Sequence, residues 1–441
     1  MTLQDPTDTT ATNPNLAERI ARSLSDPVLR ALVASTAVSR IGRGVFLSVT
    51  VLFFTLIIGL SAAEAAVVLA VSSAFGVLAS FLGGWLADRW SARRLTFVFE
   101  ALGAVLLATY AFADTFVAAL VIATLAGFFD TIGHSSRSAI IARGFAPDRR
   151  VHARAVLRTV TNLSIALGSG IAAVALAIGT PEAYRVVIVG AGVIGVLGTL
   201  PLLRLPASVD APTRAVEPVR TETGSIDTVN TADAARAARL DWNRRSPWRD
   251  PRYLLLTLLS AVFGMQFGVA ELGVPLWITE RTSAPEVVVA VILIVNTTLV
   301  VLFQVRASRG THDVRTAGRV TMVAGWLMAA ACVVYALAAG LPAWSAIVIL
   351  LVAAVLHTFA EILSQAGAWG LSFELADPVR AGAYQGVFGM GFSVGALAAP
   401  IVVNATAITF GLVGWIMLGA VFLASAAGIW WIARRAAEQA A

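Results

Sequence analysis

Apolar runs of about twenty residues or more, long enough to cross the hydrocarbon core of a bilayer as helices, recur from one end of this sequence to the other. No other feature constrains the fold as tightly, because a backbone in lipid must satisfy its own N–H and C=O groups. The runs are unbroken rather than short and alternating, which excludes a β-barrel. They predict helices over 31–60, 63–87, 94–113, 116–142, 153–178 and 184–203, then over 253–279, 285–305, 317–339, 343–373, 381–405 and 410–432. The organisation expected is an N-terminal segment 1–30, a six-helix bundle 31–204, a linker 205–250, a second six-helix bundle 251–435 and a tail 436–441. The fold class is therefore an all-α membrane protein with twelve transmembrane helices.

Composition excludes the main alternatives. Charged residues make up 13% of the chain, against about 25% in a soluble domain, too few to cover a water-facing surface. The formal charge of +6 comes entirely from Arg, and these cluster between apolar runs, a membrane pattern rather than a nucleic-acid footprint. Arg89, Arg93 and Arg94 follow helix 2, Arg143, Arg149, Arg150 and Arg154 follow helix 4, Arg306, Arg309 and Arg315 follow helix 8, and Arg380 follows helix 10. On the other side only Arg185 and Arg281 occur between helices. The positive-inside rule then puts both termini and the linker in the cytoplasm, with the chain multi-pass in a bacterial inner membrane. The polar first residues lack a cleavable signal, and 16–30 reads as a short amphipathic surface helix, with another short helix expected over 231–240 in the linker. The single Cys332 rules out an internal disulfide and a cysteine metal cluster. No phosphate-binding loop, zinc-protease helix, nucleophile elbow or dinucleotide fingerprint is present, so neither an enzyme, a cofactor nor a metal is expected.

The halves echo one another. Asp130 stands seventeen residues before Pro147, and Glu361 seventeen before Pro378; each proline precedes a glycine-bearing helix, around Gly168 and Gly170 in the first half and Gly391 and Gly395 in the second. A parallel repeat relating helices 4–5 to helices 10–11 accounts for this.

Between helices 2 and 3 runs Gly84-Trp-Leu-Ala-Asp88-Arg89-Trp-Ser-Ala-Arg93-Arg94. It resembles the loop signature of the major facilitator superfamily, with Ser91 and Ala92 departing from the usual Gly and Arg. Gly84 permits a close helix approach, and Asp88 is available to a helix N-terminus or a neighbouring Arg; the resemblance implies that this loop latches the outward-facing state. On helix 5, Arg158, Asn162, Gly168 and Gly170 resemble the glycine-rich motif of the twelve-helix drug:proton antiporters, with Ser169 where a proline is usual. Small residues for helix packing explain the same glycines. The resemblances imply two six-helix bundles in the major facilitator fold, a central cavity lined by helices 1, 4, 7 and 10, and a monomer.

A charge at membrane depth is costly and faces a cavity or a partner. Asp130, Glu361 and Glu271 are thus the proton-coupling candidates, with His134 and His357 one turn from Asp130 and Glu361. Each carboxylate reads equally as part of a buried structural pair. Arg40, Arg43 and Arg158 are expected to partner Asp130 or Glu271 or to meet an anionic substrate. Asn162, Gln266, Phe129 and Trp369 complete the candidate cavity. Glu100 on helix 3 is a weaker candidate, and Arg137 is expected to snorkel to the interface. The function expected is proton-coupled export of a small amphipathic or lipophilic compound by alternating access. The alternatives are proton symport of a nutrient such as a sugar or organic acid and, more remotely, a membrane enzyme or sensor. The partners are a small-molecule substrate, protons and the bilayer, with no nucleic acid.

Overall fold

The computed structural model describes residues 25–210 and 245–440. The N-terminal segment, most of the linker and the short helices expected over 16–30 and 231–240 lie wholly or largely outside these residues. Twelve spanning helices follow in chain order among the described residues: α1 Pro27–Ile57, α2 Ala63–Ala87, α3 Ala92–Phe112, α4 Phe116–Gly144, α5 Pro147–Ile178 and α6 Pro181–Arg204 form the first half. The second comprises α7 Pro251–Arg281, α8 Val287–Ala307, α9 Val314–Leu337, α10 Ala343–Glu374, α11 Pro378–Ile408 and α12 Leu412–Gln439. An even number of crossings brings the start of α1 and the end of α12 to one end of the molecule, termed the base; the opposite end is the mouth.

Local sequence explains the helix starts. Proline opens α1, α5, α6 and α7, where its missing N–H is no loss. Asp26 caps α1 by accepting from the Val28 and Leu29 amides at 2.9 and 3.2 Å, and Ser61 with Glu64 closes a reciprocal capping box on α2. Several helices run beyond their apolar runs, α5 and α12 furthest: α5 begins at Pro147, not 153, and α12 reaches Gln439, into the expected tail. A helix leaving the bilayer satisfies its own backbone in water as well, so hydropathy marks the membrane boundary and not the helix end.

Each half has its own apolar core. One surrounds Val49, Phe54 and Tyr110 in the first half, and another surrounds Trp277, Tyr335 and Trp415 in the second. A further core at the base unites the halves, bringing Leu29, Leu86 and Ile140 together with Trp369, Phe373 and Ala381. Glycines let helices touch there and within the halves. A Cβ on Gly168 of α5 would strike the Ile41 carbonyl of α1, and one on Gly84 of α2 the Gly382 carbonyl of α11.

Candidate functional site

The loop after α2 ties the halves at the base. Both Asp88 carboxylate oxygens accept amide hydrogen bonds from the start of α11, from Gly382 and Ala383 at 2.7 Å each. Arg143 at the end of α4 pairs with the same carboxylate. Both partners open to it from sequence, a helix N-terminus and a neighbouring Arg, are thus engaged together. Burial pushes the Asp88 carboxyl above its ordinary value, against the pull of Arg143 and the two amides. Arg89 stacks on Trp85 with its guanidinium carbon 3.7 Å from the ring centroid. Arg93 turns to the root of the linker: its Nε donates to Asp210 at 3.0 Å and its backbone N–H to the same carboxylate at 3.1 Å. Nothing in the loop itself pointed to Asp210.

Deeper in the first half, α1 and α4 assemble a shared charge site. Asp130 lies 3.4 Å from Arg43 and 4.0 Å from Arg40, and Arg40 lies 3.4 Å from His134 Nδ1. The Asp130 and Arg43 side chains remain 34% and 38% exposed, so the site is open on one side. Phe129 does not join it; its ring packs on Phe99 and Phe128.

A second site crosses between the halves. Arg158 of α5 pairs with Glu361 of α10, not with Asp130 or Glu271. The other Glu361 oxygen accepts from Asn296 of α8 at 2.8 Å, so the carboxylate is held on both sides. Arg158 also lies over Phe267 and Trp369, 5.3 and 5.9 Å from the ring centroids. One turn toward the base, Arg154 lies over Trp369 and donates to Gln385 of α11 at 3.1 Å. Asn162 is half-buried one turn beyond Arg158. Gln266 is fully buried and donates to Ser364 at 2.9 Å. His357 is buried with Nδ1 3.5 Å from the Tyr335 hydroxyl.

Glu271 stands apart. It lies on an exposed face of α7, within a π-helical segment Val269–Gly273, and no hydrogen bond or ion pair reaches its carboxylate among the described residues.

Arg137 does not snorkel. It is buried, 5% exposed, and grips Glu100 of α3 with two hydrogen bonds of 2.6 and 3.0 Å from Nη2 and Nε, while Nη2 also donates to Ser35 and Nη1 to Thr36 of α1. Two unlike charges at membrane depth were a signal for this pair, but their lack of common spacing hid it.

The contacts between the halves gather toward the base: Asp88 with Gly382, Ser80 with the Gly386 carbonyl at 3.2 Å, Arg154 with Gln385 and, deepest, Arg158 with Glu361. Among the described residues, no hydrogen bond or ion pair between the halves lies nearer the mouth than that pair.

A family model described as the Major Facilitator Superfamily matches residues 32–400. No curated protein matches the chain. Among solved structures, the chain resembles the human organic anion transporter MFSD10 (TETRAN), at 17% identity and TM-score 0.66, covering 91% of this chain and 99% of that one. It resembles a bacterial homologue of the iron transporter ferroportin in an outward-facing state, at 13% identity and TM-score 0.67, covering 92% and 98%. It also resembles the proton:xylose symporter XylE bound to 6-bromo-6-deoxy-D-glucose, at 12% identity and TM-score 0.63, covering 93% and 96%.

Proposed function

The chain belongs to the major facilitator superfamily, and from that premise we propose that it is a proton-coupled antiporter that exports a small amphipathic or lipophilic compound by alternating access. The Arg158–Glu361 pair carries this reading, because it joins the two halves at membrane depth. Coupling requires a carboxylate whose protonation changes the relative stability of the two open states. Protonating Glu361 removes the charge that holds Arg158 and loosens the closed base. Asp130 is held by Arg40 and Arg43 within one half, so its protonation breaks no contact between halves.

The base is taken as cytoplasmic from the Arg distribution, and the chain as a monomer in a bacterial inner membrane. With the cleft open outward, a proton arriving from outside neutralises Glu361, the base opens, and the proton leaves inward as substrate moves out. Two of the few polar side chains that a sugar could use are drawn into other bonds, the Gln266 amide N–H to Ser364 and Asn296 to Glu361 and Thr358. That favours a lipophilic substrate over the symport alternative.

Reconstituted vesicles with an imposed pH gradient test the proposal, using a panel of lipophilic cations, drugs and sugars while lumenal pH is recorded. Substrate should move against protons, and Glu361→Gln should abolish gradient-driven flux while substrate exchange at equal pH persists. Gradient-driven flux at the wild-type rate in Glu361→Gln would refute Glu361 as the coupling residue, and co-directional flux would establish symport.

A further inference from the structure

We infer that the base of the second half carries a headgroup site for an anionic phospholipid: Arg252 and Arg315 hold the phosphate where α7 and α9 begin and α12 ends, and an acyl chain runs along α9. This goes beyond the transport reading and is independent of the substrate and of the coupling ion.

The two halves differ at one point of their shared plan. In the first, Arg93 is the second residue of α3, whose N-cap is Ser91. Asp210, beyond the end of α6, accepts from its Nε at 3.0 Å and from its amide at 3.1 Å. The counterpart is Arg315, the second residue of α9, whose N-cap is Asp313. The end of α12 passes it and offers only the Ala437 carbonyl, at 3.5 Å. Arg252, the second residue of α7, donates to the Gln439 side-chain oxygen at 3.2 Å. No carboxylate forms an ion pair with either guanidinium among the described residues. The acids nearby are engaged: Asp313 with the Thr316 amide at 2.7 Å, Glu374 with Arg150 of the other half at 3.7 Å, and Glu438 with Arg434 at 2.9 Å.

Arg252, His312 and Arg315 line one groove of about 770 Å³, which also meets Glu374 and Gln439. Two guanidiniums whose protein partners are neutral suit a phosphate, which accepts from both. The place of the groove in the bilayer names the source of that phosphate. On α9, Arg315 and Arg319 are exposed, and Val323 and Trp326 continue the same face into the span as exposed apolar residues. Leu255 and Leu258 lie exposed on α7 within two turns of Arg252. On α12 the guanidinium carbons of Arg434 and Arg435 lie 5.9 and 4.3 Å from the Trp430 and Trp431 ring centroids, a pairing of aromatic and basic residues that marks the headgroup layer. A phospholipid bound there lays its chain on apolar surface that a soluble phosphate leaves bare, and basic pockets between spanning helices collect anionic headgroups.

The purified full chain in detergent, titrated with phosphatidylglycerol and with phosphatidylcholine of the same acyl chains and read by native mass spectrometry, tests the site. The wild type should favour the anionic lipid by about tenfold or more. Arg252→Gln with Arg315→Gln should bring the two lipids to parity. Gln439→Glu, which supplies the kind of carboxylate that Asp210 supplies in the first half, should do the same without removing an arginine. Arg435→Gln changes a neighbouring arginine that does not line the groove and should leave the preference intact, with every variant melting as the wild type does. A preference that survives in the double glutamine variant or in Gln439→Glu overturns the inference, as does a wild type with no preference. Equal loss in Arg435→Gln overturns it in favour of a diffuse basic rim, and displacement of the lipid by inorganic phosphate overturns it in favour of a soluble anion.

Discussion

A guanidinium stays charged in almost any surroundings, so every arginine at membrane depth must find a counter-charge or reach water. Arg137 finds Glu100, and the pair is closed by Ser35 and Thr36 with no face left open. Removing one member leaves the other buried and unpaired, at a cost of about 3–5 kcal/mol. We therefore expect Arg137→Met to destabilise the protein sharply in thermal unfolding in detergent, and Glu100→Gln with Arg137→Met to recover much of the loss. Equal losses in the single and double variants would show that the pair does not act as a unit. The contrast with Asp130 is instructive: similar residue types, but one site sealed and the other a third exposed. Sequence alone predicted an arginine partner for Asp130 but the membrane interface for Arg137, and only the neighbouring helices decided which charge is sealed and which stays open.

At the scale of the helix, caps and distortions carry the information. Asp313 caps α9, accepting from the Thr316 amide at 2.7 Å. The Thr316 hydrogen bonds, side chain and then backbone, hold its carboxyl below the ordinary value of 3.8. A carboxyl lowered in the folded state stabilises it fully above that ordinary value, and the contribution is lost as pH falls through the lowered one. Asp313→Ala should thus cost about 1 kcal/mol near neutral pH, and the difference from wild type should close in acid unfolding measurements. The helix expected over 317–339 missed this cap, because the apolar run starts one turn after Asp313. The π-helical turn around Glu271 was not legible either, because Val269–Gly273 has ordinary helix-compatible residues and its register is set by packing on α11, where Gly268 meets Ala399 and Gly273 meets Val403.

For the molecule as a whole, closure at the base is the feature that transport must undo. An ideal Cβ on Gly389 would lie 4.0 Å from the Ser80 Cβ, within the roughly 3.5–4.5 Å a disulfide spans. Ser80→Cys with Gly389→Cys should crosslink under oxidation and stop transport, and reductant should restore it. Cys332 is buried and leaves a clean background for the assay. Crosslinking without loss of transport would mean that the α2–α11 seam does not open during the cycle.

What the sequence by itself determined was the number of spans, their approximate limits, the family loop and the identity of the intramembrane charges. These follow from local quantities: the length of an apolar run, the cost of a charge in lipid, a short ordered motif. Which charge meets which was decided only in the tertiary structure, because partners such as Arg158 and Glu361, or Arg93 and Asp210, lie on different helices or loops far apart in the chain. Their pairing depends on the crossing and register of helices, and those are set by small residues such as Gly84 and Gly168 at contacts no single segment contains.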